Sequence, residues 1–262
     1  MNADVFILAR LGSSRLPEKH LKLVDGKPAI KQLIDRLKGA KKVRNIVVCT
    51  TTLASDDKLV DFLQKEEILF FRGNEKDVLT RFLDATKQFK SDVIIDVEGD
   101  KIYSDPFYID KIITTMEDKS VDFVMGSSST EFDPTDHFTH GIIPAGVRVS
   151  ALEKLCQIKK SSDTETGYRE FFISSSLFSK RYINPEVIPK NAKKIRLTLD
   201  YQEDLDLANL TFKELGTNFH LIDLIKLFER KPELMKITEP IITKWKNNYS
   251  EKITDLSLKE AS

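Results

Sequence analysis

Cysteine, histidine and long apolar runs are all scarce in this sequence, and each scarcity excludes something. The two cysteines, Cys49 in VVCTT and Cys156 in EKLCQIKK, sit in apolar patterns where a reduced thiol behaves as a small hydrophobe. A disulfide-stapled scaffold is therefore not expected. Of the four histidines, only His137 and His140 are close, in Asp133-Pro-Thr-Asp136-His137-Phe-Thr-His140. A metal centre there lacks a third ligand, so the stretch reads as a polar loop. No run approaches the roughly 20 apolar residues that span a bilayer. Asp4 and Arg10 bracket the first apolar stretch, which is too short for a signal-peptide core. A cytoplasmic protein with no membrane partner is expected.

Excess charge is lacking too, because 41 Lys plus Arg balance 41 Asp plus Glu. That argues against a basic nucleic-acid coat and against an acidic, solvated chain. Any anion must be held by a local cluster. Internal repeats and low-complexity linkers are also missing. One domain over residues 1–247 with an embedded subdomain, followed by a polar tail at 248–262, is preferred to two independent units. What is present is material for a core: 40% of the 262 residues are hydrophobic, and a chain of this size can bury roughly 70 to 75% of its unfolded surface.

Short branched-rich runs alternate with longer amphipathic stretches, the pattern of strand, helix, strand. Strands are expected at 5–9 (VFILA), 45–50 (NIVVCT), 68–72 (ILFFR) and 93–98 (VIIDVE). Each is nearly continuously apolar, as a parallel strand covered on both faces should be. Helices are expected from Pro28 to Leu37, with Ile30, Leu33, Ile34 and Leu37 on one face, from Asp56 to Gln64, and from Asp77 to Phe89. The reading is an open α/β sheet. Beyond Ser127 the pattern changes: residues 142–149 (IIPAGVRV) resemble a bent strand in what reads as a β-rich insertion. Arg196 to Asp200 reads as a returning strand, followed by helices from Gln202 to Leu215, stopping at Gly216, and around 221–230.

The first strand runs into Ala9-Arg10-Leu-Gly12-Ser13-Ser14-Arg15-Leu-Pro17-Glu-Lys19. Loops at the C-terminal ends of parallel strands are where open α/β sheets bind ligands. Gly12 and the serines let backbone amides turn toward an anion, while Arg10, Arg15 and Lys19 supply cations suited to a polyphosphate. Neither a Walker loop nor a dinucleotide glycine motif is present. A solvated basic turn would explain the charges, but not Gly12, Pro17 and the strand placement together. The fourth strand ends in Asp96-Val-Glu98-Gly99-Asp100, which makes Asp100 the first candidate metal ligand, with Gly99 letting a ligand approach the backbone. Magnesium takes one or two carboxylates plus phosphate oxygens and water, and Asp200, closing Arg196-Leu-Thr-Leu, fits as the second. Either aspartate alone could be a helix cap or a loop acid.

Strand, then A-R-x-G-S-x-R-L-P-x-K, then D-G-K-P at Asp25 to Pro28 before a helix, resembles the opening of the cytidylyltransferases that make CMP-activated sugar acids, of the CMP-KDO and CMP-sialate kind. Phe71-Arg72-Gly73 through Asp77-Val78-Leu79 to Arg81-Phe82 is similar to the F-R-G-x-x-x-D-V-L-x-R-[FY] segment of the spore-coat-polysaccharide branch. Glu98-Gly99-Asp100 with Asp105-Pro106, Asp200 through Glu203-Asp204-Leu205, and Lys231 to Ile237 resemble later family elements in the right order. The likeness covers most of residues 4–237 and is weakest over 125–190.

The resemblance implies a nucleotide-diphospho-sugar-transferase-like α/β/α sandwich with a mostly parallel sheet. It also implies a homodimer, in which an insertion at about 127–190 serves substrate binding and dimerisation. It places Ala9, Arg10, Gly12, Ser13, Arg15 and Lys19 on the nucleotide, with Arg10, Arg15, Lys19 and Asp100 carrying catalysis and Asp100 and Asp200 holding Mg2+. Arg72, Gly73, Asp77, Val78, Leu79, Glu98 and Gly99 would lie near the nucleoside. Three departures stand out: Glu18 where the family usually has glycine, Glu98 for Gln or Thr, and Lys101-Ile-Tyr103 in place of a proline-containing segment. Glu98 could accept from the cytosine amino group or join the metal shell.

The implied reaction is attack of an acceptor oxygen on the α-phosphorus of CTP, expelling pyrophosphate, with alignment and charge neutralisation as the protein's work. His137, His140, Gly141, Arg148, Tyr168 and Arg169 lie where the likeness fades and are the expected acceptor pocket. Their chemistry suits a small anion: a sugar acid for glycan synthesis, or else a phosphonate or phospho-compound. The rivals are a glycosyltransferase of the same fold, which usually shows Asp-x-Asp at the metal strand, and a non-catalytic nucleotide-binding module.

Overall fold

A computed structural model describes residues 1–128, 136–164 and 168–252. Residues 133–135 of the histidine loop and the tail beyond 252 lie outside the described residues. The strands are β1 (Ala3–Leu8), β2 (Leu23–Val24), β3 (Lys27–Pro28), β4 (Asn45–Thr51), β5 (Leu69–Gly73), β6 (Val93–Glu98), β7 (Phe123–Gly126), β8 (Ala145–Arg148) and β9 (Lys180–Ile183). The helices are α1 (Ala29–Leu37), α2 (Asp57–Lys65), α3 (Val78–Phe89), α4 (Pro106–Thr115), α5 (Thr139–Ile142), α6 (Val149–Ile158), α7 (Glu170–Ser174), α8 (Gln202–Leu215), α9 (Leu221–Arg230) and α10 (Glu233–Lys252).

Seven strands form one sheet in the order β5-β4-β1-β6-β8-β7-β9. Only β8 runs against its neighbours; the other adjacent pairs are parallel. Successive residues of β1 and β6 point into different cores. Val5, Ile7, Val93, Ile95 and Val97 face the layer of α1, α2, α4, α8 and α9, while Phe6 and Ile94 face the layer of α3, α6 and α7. That is why these strands read as almost unbroken apolar runs. The chain goes outward from β1 through β4 to β5 and returns to β6 on the other side of β1. Sheet order therefore reverses between β1 and β6, and ligand clefts open at such points beyond the strand C-termini.

Local chemistry explains several element ends. Asp77 caps α3 by accepting from the Thr80 amide at 3.1 Å, and Asp105 caps α4 ahead of Pro106 at the first helical position. β2 and β3 are joined by Asp25 and Gly26 with φ of 47° and 79°, the two left-handed residues a tight two-residue hairpin requires. Gly216, at φ 70°, ends α8 where expected.

One expectation needs correction. Arg196 to Asp200 is not a strand, because β8 already occupies the position beside β6 and leaves it no ladder to join. It packs as irregular chain with Leu197 and Leu199 buried. α10 runs on past Asn247 to Lys252. The β element expected within 127–190 enters the main sheet as β8 and β9, accompanied by α5, α6 and α7. Among the described residues no helix is long and apolar enough to cross a membrane.

Gly146 shows how tightly α4 lies on the sheet: a Cβ there would sit 2.4 Å from Ile112 Cγ2 and 2.8 Å from Met116 Sδ. Overpacking of this kind costs about 1–3 kcal/mol. Gly146→Ala is expected to lower the urea unfolding midpoint by a corresponding amount without changing the slope of the transition.

Candidate active site

β1 and β6 are paired so that Leu8 lies opposite Glu98. The loop after β1 and the Glu98-Gly99-Asp100 turn therefore leave the sheet side by side. Gly99 donates its amide to the Leu8 carbonyl at 2.8 Å, and a Cβ at Gly99 would come within 2.8 Å of that oxygen and of His20 Cε1. Glycine is needed here by the chain's own packing. The loop itself is tied from below. Leu11 donates its amide to Asp56 Oδ1 at 2.7 Å, Thr51 donates its hydroxyl to the same carboxylate, and Leu11 and Leu16 are buried anchors. Gly12 has open space around its Cα. Glu18 takes φ 54°, a left-handed conformation that costs a non-glycine residue about 1–2 kcal/mol, so a glycine would suit this position. Its carboxylate is engaged by Lys58 at 2.6 Å.

Lys19 is the centre of the cluster. Its ammonium is 2.6 Å from Asp100 Oδ2 and 2.9 Å from Asp200 Oδ1. Arg15 reaches Asp200 Oδ1 at 2.7 Å. Lys101 stands 3.9 Å from Asp100 Oδ1 and 3.5 Å from Glu98 Oε2. Burial by itself would push the Lys19 pKa down, but Asp100 and Asp200 outweigh it and raise it. Burial would likewise raise Asp200, yet Lys19 and Arg15 hold it far below the usual carboxylate range. Asp100 is also lowered, against burial, by Lys19 and Lys101. Lys19, Asp100 and Asp200 therefore stay charged at neutral pH. Asp100 Oδ1 is buried and makes no hydrogen bond. Two carboxylates near enough to share one cation could also hold a metal. Among the described residues no group of three or more His, Cys, Asp or Glu could do so by itself, so further ligands would have to come from nucleotide and water. Arg10 is half-buried at the start of the same loop, close enough to Arg81 for the two cations to repel.

The β5–α3 segment uses most of its side chains internally. Arg72 donates to the carbonyls of Thr51 at 2.9 Å and Leu53 at 2.8 Å and pairs with Asp57 at 2.7 Å, bracing the β4–α2 loop. Gly73 gives room to Arg81, whose Cγ would lie 2.7 Å from a Cβ there. Asp77 also takes Thr164 Oγ1 at 3.0 Å and Lys159 Nζ at 2.5 Å. Val78 and Leu79 are buried in the core beneath α6. The Leu79 amide is taken by Thr164 Oγ1 at 3.2 Å.

The expected acceptor residues divide. Arg169 and His140 are on the site side of β6. Arg169 Nε donates to Asp96 Oδ2 at 2.8 Å, and its Nη2 is 3.8 Å from Glu98 Oε1. Burial disfavours the guanidinium charge, but Asp96 more than offsets this and raises its pKa. Tyr168 is buried and donates its hydroxyl to the same Asp96 carboxylate. Burial and then Arg169 push His140 down to about 4, so it offers a neutral imidazole rather than the charge expected of it. The other three require correction. Arg148 pairs with Val93 at the opposite end of β6 and donates to the carbonyls of Met116, Val121 and Asp118 at 2.7, 2.8 and 2.8 Å. β8 runs antiparallel, which carries its last residue away from the site. His137 is buried edge-on against Trp245, with ring centroids 5.2 Å apart. Gly141 admits the Leu197 backbone rather than a ligand, since a Cβ would lie 2.4 Å from its carbonyl oxygen.

Four contributors escaped the sequence reading. Asp56 carries the loop, Lys101 joins the carboxylates, Asp96 seats Arg169, and Arg196 holds Asp200 at 3.1 Å. Lys101 directly follows Asp100, a visible signal; the other three act through contacts distant in sequence or inside an irregular segment.

Paired carboxylates facing a cationic loop at the switch point of a mostly parallel sheet define the class of protein, a nucleotidyltransferase with the nucleotide-diphospho-sugar-transferase-like fold. Residues 5–220 match the cytidylyltransferase family, and the chain belongs to it. It is 30% identical over 243 residues to the uncharacterized protein MJ1063 of Methanocaldococcus jannaschii, covering 90% of this chain and 93% of the relative. It is 27% identical to the spore coat polysaccharide biosynthesis protein SpsF of Bacillus subtilis, covering 89% and 97%. An 8-amino-3,8-dideoxy-manno-octulosonate cytidylyltransferase of Shewanella loihica aligns at 33% identity with 50% of this chain and 54% of its own length. A cytidylyltransferase structure from Leptospira borgpetersenii superposes with a TM-score of 0.77 at 26% identity, covering 90% of this chain and 97% of that one.

His20, buried against Gly99, is pushed down to about 4 by burial and then by Lys19. His140 is likewise near 4, whereas an unfolded histidine titrates near 6.5. The unfolded chain therefore binds more protons between these values, so stability is complete above about 6.5 and falls as pH drops toward 4. His20→Asn should flatten the slope of unfolding free energy against pH in this window, measured by urea titration at a series of pH values. An unchanged slope would show that His20 is not a neutral buried group.

Proposed function

We propose that this enzyme transfers CMP from CTP to a small anionic acceptor in a magnesium-dependent reaction that releases pyrophosphate. The observation that carries the reading is the single ammonium of Lys19 held between Asp100 and Asp200, at 2.6 and 2.9 Å, beside Arg15 and the open turn at Gly12. The donor set fits magnesium, with Asp100 and Asp200 as its protein ligands. Bound there, the metal supplies charge neutralisation at the α-phosphate. Arg10, Arg15 and Lys19 offset charge growing on the β and γ phosphates. The acceptor oxygen forms a bond to the α-phosphorus, a hydroxyl acceptor giving up its proton to water, as the bond from that phosphorus to the bridging oxygen breaks and pyrophosphate departs with the electron pair. No side chain need act as a nucleophile.

Arg169, Lys101 and neutral His140 gather around Glu98 as the acceptor-side groups. A guanidinium fixed from behind by a carboxylate is well suited to a sugar-acid carboxylate. The polysaccharide role in the name of SpsF and the octulosonate substrate in the name of the Shewanella relative support a sugar acid destined for glycan synthesis. Turnover of CTP against a panel of sugar acids, phospho-compounds and phosphonates, with pyrophosphate release as the readout, tests this choice. A sugar acid should be preferred, and turnover with a phosphonate alone would overturn the acceptor assignment.

Activity should require divalent metal, and Asp100→Asn should lower turnover by about two orders of magnitude or more, the effect of losing about 3–4 kcal/mol of charge stabilisation. Wild-type turnover in that variant would remove Asp100 from the mechanism. Arg169→Ala should raise the acceptor KM by roughly 10- to 100-fold, in line with loss of a charge-assisted hydrogen bond, while CTP affinity measured by calorimetry stays nearly constant. Loss of CTP binding would instead move Arg169 to the nucleotide half of the site.

A further inference from the structure

Asp200 has two carboxylate oxygens with different partners. Oδ1 takes Lys19 at 2.9 Å and Arg15 at 2.7 Å, while Oδ2 takes Arg196 Nη2 at 3.1 Å. The carboxylate is thus held from both sides, and Arg196 is the side-chain partner of its far oxygen. That arginine is fully buried, at 0% exposure. It also binds Asp204 through Nε at 2.9 Å and Nη2 at 3.2 Å. Asp204 in turn accepts the backbone amides of Asp200 at 2.9 Å and Tyr201 at 3.0 Å. Arg196, Asp200 and Asp204 therefore form one rigid unit, although Arg196 Nη1 makes no hydrogen bond.

A buried guanidinium with an unbonded nitrogen needs another source of stabilisation, and two aromatic rings are at hand. The guanidinium carbon is 5.1 Å from the Trp245 ring centre and 5.6 Å from that of Tyr201. Trp245 is the only tryptophan in the chain and is 8% exposed. It packs with Tyr201 and Ile241 and also stands edge-on to the His137 ring. Arg15 also stands over the Tyr201 ring, at 5.4 Å. Trp245 lies on α10, beyond the residues 5–220 that match the family.

We propose that Trp245 is a positioning residue for the Asp200 carboxylate, acting through Arg196, so that α10 belongs to the nucleotide site rather than serving as a terminal support. The inference rests on the reading of Asp200 as a ligand for the magnesium-bound triphosphate. The ion pairs to Asp200 and Asp204 anchor Nε and Nη2 of Arg196, and the desolvated cation–π contact adds to them by holding the guanidinium plane, whose tilt would take Oδ2 of Asp200 with it.

The test is calorimetric titration of the full chain, without acceptor, using CTP in MgCl2 and CMP in EDTA. Trp245→Leu should weaken CTP binding in MgCl2 about tenfold and leave CMP binding in EDTA unchanged. Trp245→Phe, which keeps an aromatic face, should bind CTP within about threefold of wild type. Arg196→Lys should weaken CTP binding as Trp245→Leu does, and the double variant should be no weaker than Arg196→Lys alone. Trp245→Met serves the same comparison if Trp245→Leu does not fold. Wild-type CTP affinity in Trp245→Leu, or equal weakening of CTP and CMP, would overturn the proposal while leaving the functional reading intact. Failure of the wild type itself to bind CTP in MgCl2 would overturn both.

Discussion

A lysine ammonium wedged between two aspartates of separate chain segments is the constraint on which the site depends. Lys19 comes from the β1 loop, Asp100 from the end of β6 and Asp200 from the irregular segment before α8. Burying such charges is costly, and the cost is recovered only if every partner is held in good geometry. The surrounding structure meets this demand. Asp56 grips the Leu11 amide, Gly99 lets His20 and the Leu8 carbonyl close in, and Arg196 fixes the far oxygen of Asp200. Removing one charge would leave the others buried without compensation.

The same cluster suggests how nucleotide and protein exchange partners. Lys19 and Arg15 are occupied by carboxylates, so on the proposed reading an incoming triphosphate would compete for groups that already satisfy one another. Such a site is preorganised, because the cations and carboxylates are already in place and few side chains need to be ordered on binding. On the other side of Glu98, Asp96 serves Arg169 as Asp200 serves Arg15. Each guanidinium is held by a buried carboxylate, one on either side of Glu98.

Much of the fold was legible in the amino-acid pattern. β1, β4 and β6 were readable because both faces of a central parallel strand are covered, β5 from its apolar run although it is a part-exposed edge strand, and α8 because Gly216 ends it where its pattern stops. The Gly12, Arg15, Lys19 and Asp100 constellation was readable because its members follow directly from strand ends. Arg196 to Asp200 misled because alternation alone does not supply a pairing partner. Arg148 misled because residue type says nothing of strand direction.

By itself, then, the sequence determined that the first half alternates strand and helix through β1, β4, β5 and β6, where the cationic loop and its carboxylates occur, and which family they resemble. Those are properties of local order, written in periodicity, capping residues and short motifs. Only the tertiary structure decided that β8 runs backward and takes Arg148 away from the site, that His137 is spent on Trp245, and that Asp96 and Arg196 aim the working guanidinium and carboxylate. The physical reason is that a charged group in a protein interior is defined by the partners that compensate it. Those partners come from chain segments whose proximity is fixed by sheet order and not by sequence distance.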